Sequence, residues 1–264
     1  MRFAVDAHTI GCHLTGNEVY VRNLLNSFAV LDDAADFTAY YSVSEATSWL
    51  PARFRRRRVA RNPFLRLGCD LSRKLYQDRP DLLHVQYTAP LLCPAPLVVS
   101  VHDVSFSEHP EFFTVPRARQ LQWTVRRTIR HAARILTGSE FSRQAIARNY
   151  GLNGENIVVI PNAAASMFRP LAREPALAAV RARFGIPGPF ILTVGDLQPR
   201  KNQLGLIRAF TEMLRARPQL PYRLVLAGKE TWFAPRIHKA GQASSAAERI
   251  HFTGFVADED LLQL

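Results

Sequence analysis

Six short apolar runs occupy the first part of the chain: RFAVDA, DFTAYYSV, DLLHVQ, LVVSVHD, RILTGS and NIVVIPN. Each ends in polar or turn residues, and helical periodicity fills the gaps between them. This spacing constrains the fold more than any other feature. A strand with one face in water alternates apolar and polar side chains; these runs do not, so both faces are covered. Doubly covered strands joined by helices form a parallel sheet between helical layers. The periodicity places helices near 17–31, 69–77, 115–133 and 140–150. From Phe168 to Pro189 the texture changes to FRPLAREPALAAVRARFGIPGP, read as a Pro-rich linker with one short helix. The alternation then restarts with PFILTVG, a helix near 203–216, YRLVLAG, a helix near 233–243, RIHFTG and the start of a helix in DEDLLQL. The expected architecture is α/β: a Rossmann-like domain over 1–168, then the linker and first half of a second, incomplete one over 169–264.

Composition excludes several classes. The start MRFAVDAH reads as a strand and lacks the apolar core of a signal peptide. The longest greasy stretch, APLLCPAPLVVSV, is broken by Pro94 and Pro96 and is too short to span a bilayer. Cys12, Cys69 and Cys93 show neither pairing nor CxxC spacing, which fits reduced thiols in the cytoplasm. The net charge of +12 is uneven: residues 1–52 hold 2 basic and 6 acidic side chains, whereas residues 53–134 hold 16 and 6. Such an excess points to an anionic partner.

Parallel sheets bind ligands beyond the carboxyl ends of their strands. His102 and Asp103 end one strand run, Ser139 and Glu140 follow another, and Asn162 a third. Arg200 and Lys201 follow PFILTVG, while Gly228 and Lys229 follow YRLVLA. Plain structural roles compete at several of these: a turn with an Asp cap at His102-Asp103, a helix cap at Ser139, a turn at Asn162. The stretch GDLQPRKNQ, Gly195 to Gln203, is less easily explained that way. Two adjacent cations beside a helix N-terminus are repelled by its positive end, so an anion is expected to offset them. Familiar motifs fail. GCHLTGNE has the phosphate-loop glycine spacing with Asn17 in place of Lys, and no GxGxxG, HExxH, paired CxxC or GxSxG occurs. His8, Cys12 and His13 are read as packing, and no metal site is expected.

Taken in order, LTGNEVYVRNLL, LHVQYTAPL, VVSVHDVSFSEHPEFF, ILTGSEFSRQAI, IVVIPNAAASMFRP, FILTVGDLQPRKNQLGLIRAF, YRLVLAGK and RIHFTGFVADEDLLQL resemble a retaining glycosyltransferase of family 4. The similarity is greatest to the mannosyltransferase-like branch that builds bacterial surface polysaccharides. The resemblance implies a GT-B fold, in which two Rossmann-like domains face a cleft, the first taking the acceptor and the second the sugar nucleotide. It implies transfer of a mannose-like hexose to a glycan or lipid-linked acceptor, without a metal or other cofactor. Carried over residue by residue, it places His102 against the transferred sugar, with Asp103 orienting it or the acceptor. Gly16, Gly195, Arg200 and Lys201 would hold the donor diphosphate, and Gly228, Lys229 and Val256 the nucleoside. Many members carry Arg directly after the glycine where this chain has Asp196, and Arg200 is expected to substitute. The asparagine loop reads PNAAA where PNG is common.

Family members also carry two glutamates eight positions apart beyond the point matching Leu264, and no such pair occurs here. The expectation is therefore a fragment, inactive alone. A non-catalytic binding or scaffold protein of the same lineage is the alternative. A nucleic-acid-binding protein, suggested by RFRRRR, is more remote because no matching motif accompanies that run, and no nucleic-acid partner is expected. The helix near 115–133 gathers Leu121, Val125, Ile129 and Ala132 on one side. Arg119, Arg126, Arg127, Arg130 and Arg134 surround Trp123 on the other, a pattern suited to peripheral attachment on the anionic inner face of the cell membrane.

Overall fold

Among the described residues every strand pairing is parallel. The computed structural model describes residues 1–12, 15–31 and 34–264, with Thr15 described by its backbone alone. It divides into two units, Met1–Ala163 and Ala164–Leu264.

The first unit runs β1 (Arg2–Asp6), α1 (Thr15–Leu31), β2 (Asp36–Tyr41), β3 (Arg55–Arg58), α2 (Pro63–Leu65), a π turn (Arg66–Asp70), α3 (Leu71–Asp78), β4 (Leu82–Gln86) and β5 (Leu97–Ser100). It continues with α4 (Ser105–Glu108), α5 (Val115–His131), β6 (Arg134–Thr137), α6 (Glu140–Tyr150) and β7 (Ile157–Val159). The sheet order is β3-β2-β1-β4-β5-β6-β7. Its direction of growth reverses between β1 and β4, so the switch point lies beyond their carboxyl ends. Two apolar clusters cover the sheet. One joins Leu83, Val85 and Val99 to Leu71, Leu75, Val125, Ile129 and Ile146 of the helices; the other joins Val5, Phe37 and Ala39 to Val21 and Leu25. Each of these buried Val, Leu, Ile and Phe side chains stabilises the fold by about 1.5–3 kcal/mol. Local chemistry sets the helix ends: Ser139 Oγ accepts from Ser142 N at 3.1 Å to start α6, and Gly151 stops it at φ +66°.

The sequence reading finds six strands here, and the structure has a seventh. The RRRR run is β3, the edge strand beside β2. Four consecutive cations carry no apolar signal, yet charge on an edge strand is what keeps that edge from pairing with another chain. Arg55 and Arg57 meet Asp78, at 3.4 and 3.1 Å, and Arg56 donates to the Leu50 carbonyl. Three of the four are thus tied to the fold, while Arg55, Arg56 and Arg58 stay exposed at this edge. On α5, Val125 and Ile129 are buried and Trp123 is 63% exposed, as the periodicity expects. Arg127 departs from the expectation: its guanidinium donates to the carbonyls of Ala89, Pro90 and Leu91, tying α5 to the β4–β5 connection.

The second unit runs α7 (Arg173–Phe184), β8 (Phe190–Val194), a 3-10 turn (Pro199–Lys201), α8 (Gln203–Ala216), β9 (Arg223–Ala227), α9 (Ala234–Gln242), β10 (Ile250–Gly254) and α10 (Asp258–Leu261). Its sheet order is β10-β9-β8. Leu224 and Leu226 pack on Ile207, Phe210 and Ile237, while Val225 packs on Val180 and Ile186. The segment read as a linker is therefore structural: α7 supplies Val180 to this core.

Candidate functional site

In the first unit the polar residues gather at the exits of β1, β4 and β5. Gln86, the last residue of β4, sets the geometry. Its Nε2 donates to the Asn17 carbonyl at 3.1 Å, and a carbonyl can only accept, so its Oε1 must face the other way. There it lies 3.1 Å from His102 Nε2, which consequently carries the proton and leaves Nδ1 as an acceptor. The rings of Tyr20 and Tyr87 meet the His102 ring edge-on, with centroids at 4.6 and 5.7 Å. Burial lowers the His102 pKa, with the Asp103 charge opposing, so the ring is neutral at pH 7.

Behind His102 lies a second layer. Ser100 Oγ is 2.8 Å from both the Tyr20 hydroxyl and His84 Nε2. Burial pushes the His84 pKa down to about 4. Ser142 Oγ donates to the His102 carbonyl at 3.0 Å, fixing the β5 exit to α6. Asp103 Oδ1 accepts from Ser105 N at 3.0 Å and Ser105 Oγ at 2.6 Å. It thereby anchors the start of α4, and the hydrogen bond that orients His102 comes from Gln86.

Other expected residues are spread around this edge. Gly16 lies in the first turn of α1, and a Cβ built there would meet nothing within 4 Å. Asn162 is exposed, with its side-chain nitrogen 3.0 Å from where a Cβ of Gly138 would lie. Ser139 is occupied as the α6 cap. His8 Nδ1 bonds to Asp6 Oδ1 at 3.0 Å, and Cys12 Sγ donates to the His8 carbonyl; His13 lies outside the described residues. Among the described residues no three His, Cys, Asp or Glu side chains gather as a metal would need.

In the second unit the structure brings Gly195, Lys201 and Gly228 together. Gly195, at φ +151°, leaves β8 in a conformation that side chains rarely adopt. The Lys201 stem lies over it, Cε only 3.3 Å from where a Gly195 Cβ would stand. The 3-10 turn closes with Lys201 N on the Gln198 carbonyl, and Asn202, at φ +52°, caps α8 by accepting from Gly205 N. Gln203 is 1% exposed and donates to the Asp196 carbonyl at 2.9 Å, pinning the loop to the helix it precedes. The ammonium of Lys201 and the exposed Arg200 thus sit beside an α-helix N-terminus on a braced turn. Gly228 N donates to the Gly254 carbonyl at 2.8 Å, so Val256 follows two residues past a bond that joins the β9 and β10 exits. Lys229 is exposed, and its carbonyl accepts from Leu197 N at 2.9 Å.

The sequence pattern described as Glycosyltransferase Family 4 matches residues 15–164, more than half of the chain. The chain belongs to glycosyltransferase family 4. A second pattern, Glycosyl transferases group 1, matches residues 188–264. Among curated relatives, the O-antigen chain mannosyltransferase B of Escherichia coli is 28% identical over 62% of the chain and 43% of its own length. The alpha-D-kanosaminyltransferase of Streptomyces kanamyceticus is 29% identical over 62% of the chain and 42% of its own length. The matches thus span less than half the length of these relatives. Among solved structures, HepE of Anabaena in complex with UDP and glucose aligns over 100% of this chain and 71% of its own, with TM-score 0.69 and 20% identity. WaaG, a glycosyltransferase involved in lipopolysaccharide biosynthesis, aligns over 99% and 72%, with TM-score 0.65 and 13% identity. These likenesses establish the GT-B fold.

Tyr20, His84, Gln86 and Ser100 are absent from the sequence-based site. DLLHVQ reads as one more apolar strand, but His84 and Gln86 are two apart and share one face of it. Two polar side chains on one face of a central parallel strand were the available signal.

Proposed function

We propose that the chain takes part in retaining transfer of a mannose-like hexose from a nucleotide-sugar to a glycan or lipid-linked acceptor in bacterial surface polysaccharide synthesis. The observation that carries this reading is the braced Gly195–Gln203 turn, with Lys201 lying across a glycine beside the N-terminus of α8. As the sugar leaves, negative charge grows on the diphosphate, and preorganised cations and backbone N–H groups stabilise that growth without reorganising. Lys201 and Arg200 supply the cations, with no metal or other cofactor, and in the first unit the open surface at Gly16 suits the close approach of a diphosphate. Gly228, Lys229 and Val256 border the nucleoside. His102, neutral and held with Nδ1 as an acceptor, takes a hydroxyl of the transferred sugar, while Asp103 holds the loop that presents it.

The mannosyltransferase B likeness supports the hexose and the polysaccharide setting, and the UDP complex of HepE supports a nucleotide-sugar donor. Among the described residues no helix is long and apolar enough to cross a membrane. Peripheral attachment through α5 on the inner, cytoplasmic face of the cell membrane completes the reading.

The test is calorimetric titration of the chain with GDP-mannose and UDP-glucose, repeated on Lys201→Ala. Binding of either donor that weakens at least roughly tenfold in the variant supports the reading, the scale of losing one charge-assisted contact. Binding indifferent to Lys201, or none at all, refutes the donor assignment.

A further inference from the structure

Two pairs of neighbouring apolar side chains in the first unit stand in water. Phe64 and Leu65 of α2 are exposed, Phe64 at 79%, and so are Leu91 and Leu92 of the β4–β5 connection, Leu92 at 60%. A single exposed leucine is ordinary, whereas apolar pairs on two segments that touch mark a contact surface. The segments touch through the backbone: Leu91 N bonds to the Leu67 carbonyl at 2.8 Å, and Leu92 N to Ser72 Oγ at 3.4 Å. The connection therefore lies against the π turn, one turn past Phe64 and Leu65. Asn62 Oδ1 accepts from Phe64 N and Leu65 N, which fixes the tip that carries them.

The same connection is tied to α5. Arg127 donates to the carbonyls of Ala89, Pro90 and Leu91, and Thr88 Oγ1 donates to Thr124 Oγ1 at 3.2 Å. The exposed Trp123 precedes Arg127 by one turn and shares its face of the helix. Three tied segments thus present five apolar side chains. Their charge has one sign: residues 61–69, 87–102 and 112–134 contain no Asp or Glu. Arg61 stands three residues before Phe64, and Arg119, Arg126 and Arg130 share the Trp123 side of α5. All four are exposed, and none pairs with a carboxylate among the described residues. Asp70, the acid nearest in sequence to α2, is taken up by Ala60 N and Lys74 Nζ.

We infer that this patch is a wedge that enters the boundary between headgroups and acyl chains of an anionic bilayer, seated by α2 and the β4–β5 connection as well as by α5. The inference rests on the reading above, in which the chain attaches peripherally to a membrane, and names the side chains that leave water. Unpaired arginines beside apolar tips match that boundary: the cations meet lipid phosphates while the tips enter the acyl region. A nucleic acid offers the phosphates but no apolar phase for Phe64, Leu65, Leu91 and Leu92. Leu91 follows Gln86, the hydrogen-bond partner of His102, by five residues, so seating the wedge brings the β4 exit close to the headgroups, where a lipid-linked acceptor is presented.

The experiment is co-sedimentation of the full chain with phosphatidylcholine vesicles, with and without phosphatidylglycerol, over a series of salt concentrations. Two variants are compared with wild type: Phe64→Ser with Leu92→Ser, and Arg119→Gln with Arg130→Gln. All four positions are exposed, and equal urea midpoints verify that both variants fold. Wild type should sediment with the anionic vesicles only. The serine variant should bind them at least roughly tenfold more weakly and lose the binding that survives high salt. The glutamine variant should weaken binding chiefly at low salt, where exposed charges act. Serine-variant binding equal to wild type overturns the inference, and if the glutamine variant is then impaired, attachment through α5 stands without it. An impaired serine variant beside an unimpaired glutamine variant supports the wedge and removes the role of the α5 cations. Equal wild-type binding to both vesicles, or to neither, overturns wedge and attachment together. A dimer in sedimentation velocity that the serine variant abolishes assigns the patch to a second copy of the chain and also overturns the inference.

Discussion

Gly228→Ala tests how the second unit's strand exits are fitted together. A Cβ at residue 228 would lie 2.0 Å from the Gly195 carbonyl oxygen, 2.4 Å from its carbon and 3.1 Å from Asp196 N, whereas real Cβ contacts essentially never fall below 3.0 Å. The obstacle is backbone, so no rotamer relieves it. That backbone is also pinned: Gly195 N bonds to the Ala227 carbonyl at 2.8 Å, Gly228 N to Gly254 and Leu197 N to Lys229. Overpacking in a core that can adjust costs about 1–3 kcal/mol. Here the strands must separate, and one or two of those bonds go with them at about 1 kcal/mol each, so a total of about 3–5 kcal/mol is expected. Against a domain stability of about 5–15 kcal/mol this is a large loss. Urea denaturation followed by hydrogen exchange resolved along the sequence measures it. Protection in 190–254 should fall by that amount while residues 1–163 keep theirs. A loss below about 1 kcal/mol in the second unit, near the mean for an arbitrary substitution, refutes the argument from close approach.

Four further outcomes are expected. Gly16→Ala, with open space at the site, should leave stability unchanged or raise it by up to about 1 kcal/mol while weakening donor binding; unchanged titration curves contradict the diphosphate role. In a full-length version of the enzyme, Lys201→Ala and Arg200→Ala should each lower kcat/KM for sugar transfer by roughly two orders of magnitude, and values within a factor of about two of wild type count against the assignment. His84 has a folded pKa of about 4 against 6.5 unfolded, so only the unfolded chain binds its proton between those values. Stability should fall by about 3 kcal/mol as pH drops from 6.5 to 4, and His84→Asn should flatten that slope in urea midpoints measured across the range. Trp123 fluorescence should shift to the blue with anionic vesicles and not with zwitterionic ones; equal shifts, or none, remove the membrane role of α5.

The elements most legible in the sequence are those whose burial alone decides them. RFAVDA, LVVSVHD and YRLVLAG have covered faces, so their apolar runs announce β1, β5 and β9. β3 was hidden because an edge strand is stabilised by its neighbour's hydrogen bonds and by Asp78, neither of which appears in the pattern RRRR. The π turn was hidden for a related reason: periodicity assumes a constant rotation per residue, and one wide turn breaks it. At the candidate site, Lys201 and His102 were visible as cation and imidazole at strand exits. Gln86 and Tyr20 were not, since their importance lies in what they face across the sheet.

The wide turn at Arg66–Asp70 has a consequence for how this segment tolerates insertion and deletion. A wide turn is an α-helix with one residue too many. Deleting a single residue within it, such as Gly68, around which a Cβ would find open space, would let Pro63–Asp78 run as an unbroken α-helix. The wide turn holds its extra residue without turning the helix on either side, so the flanking segments would keep their facing after the deletion. Leu71 and Leu75 would keep their places in the core, so the fold would survive the change. A one-residue difference in length can therefore be taken up inside this turn, with Leu71 and Leu75 left where the core needs them.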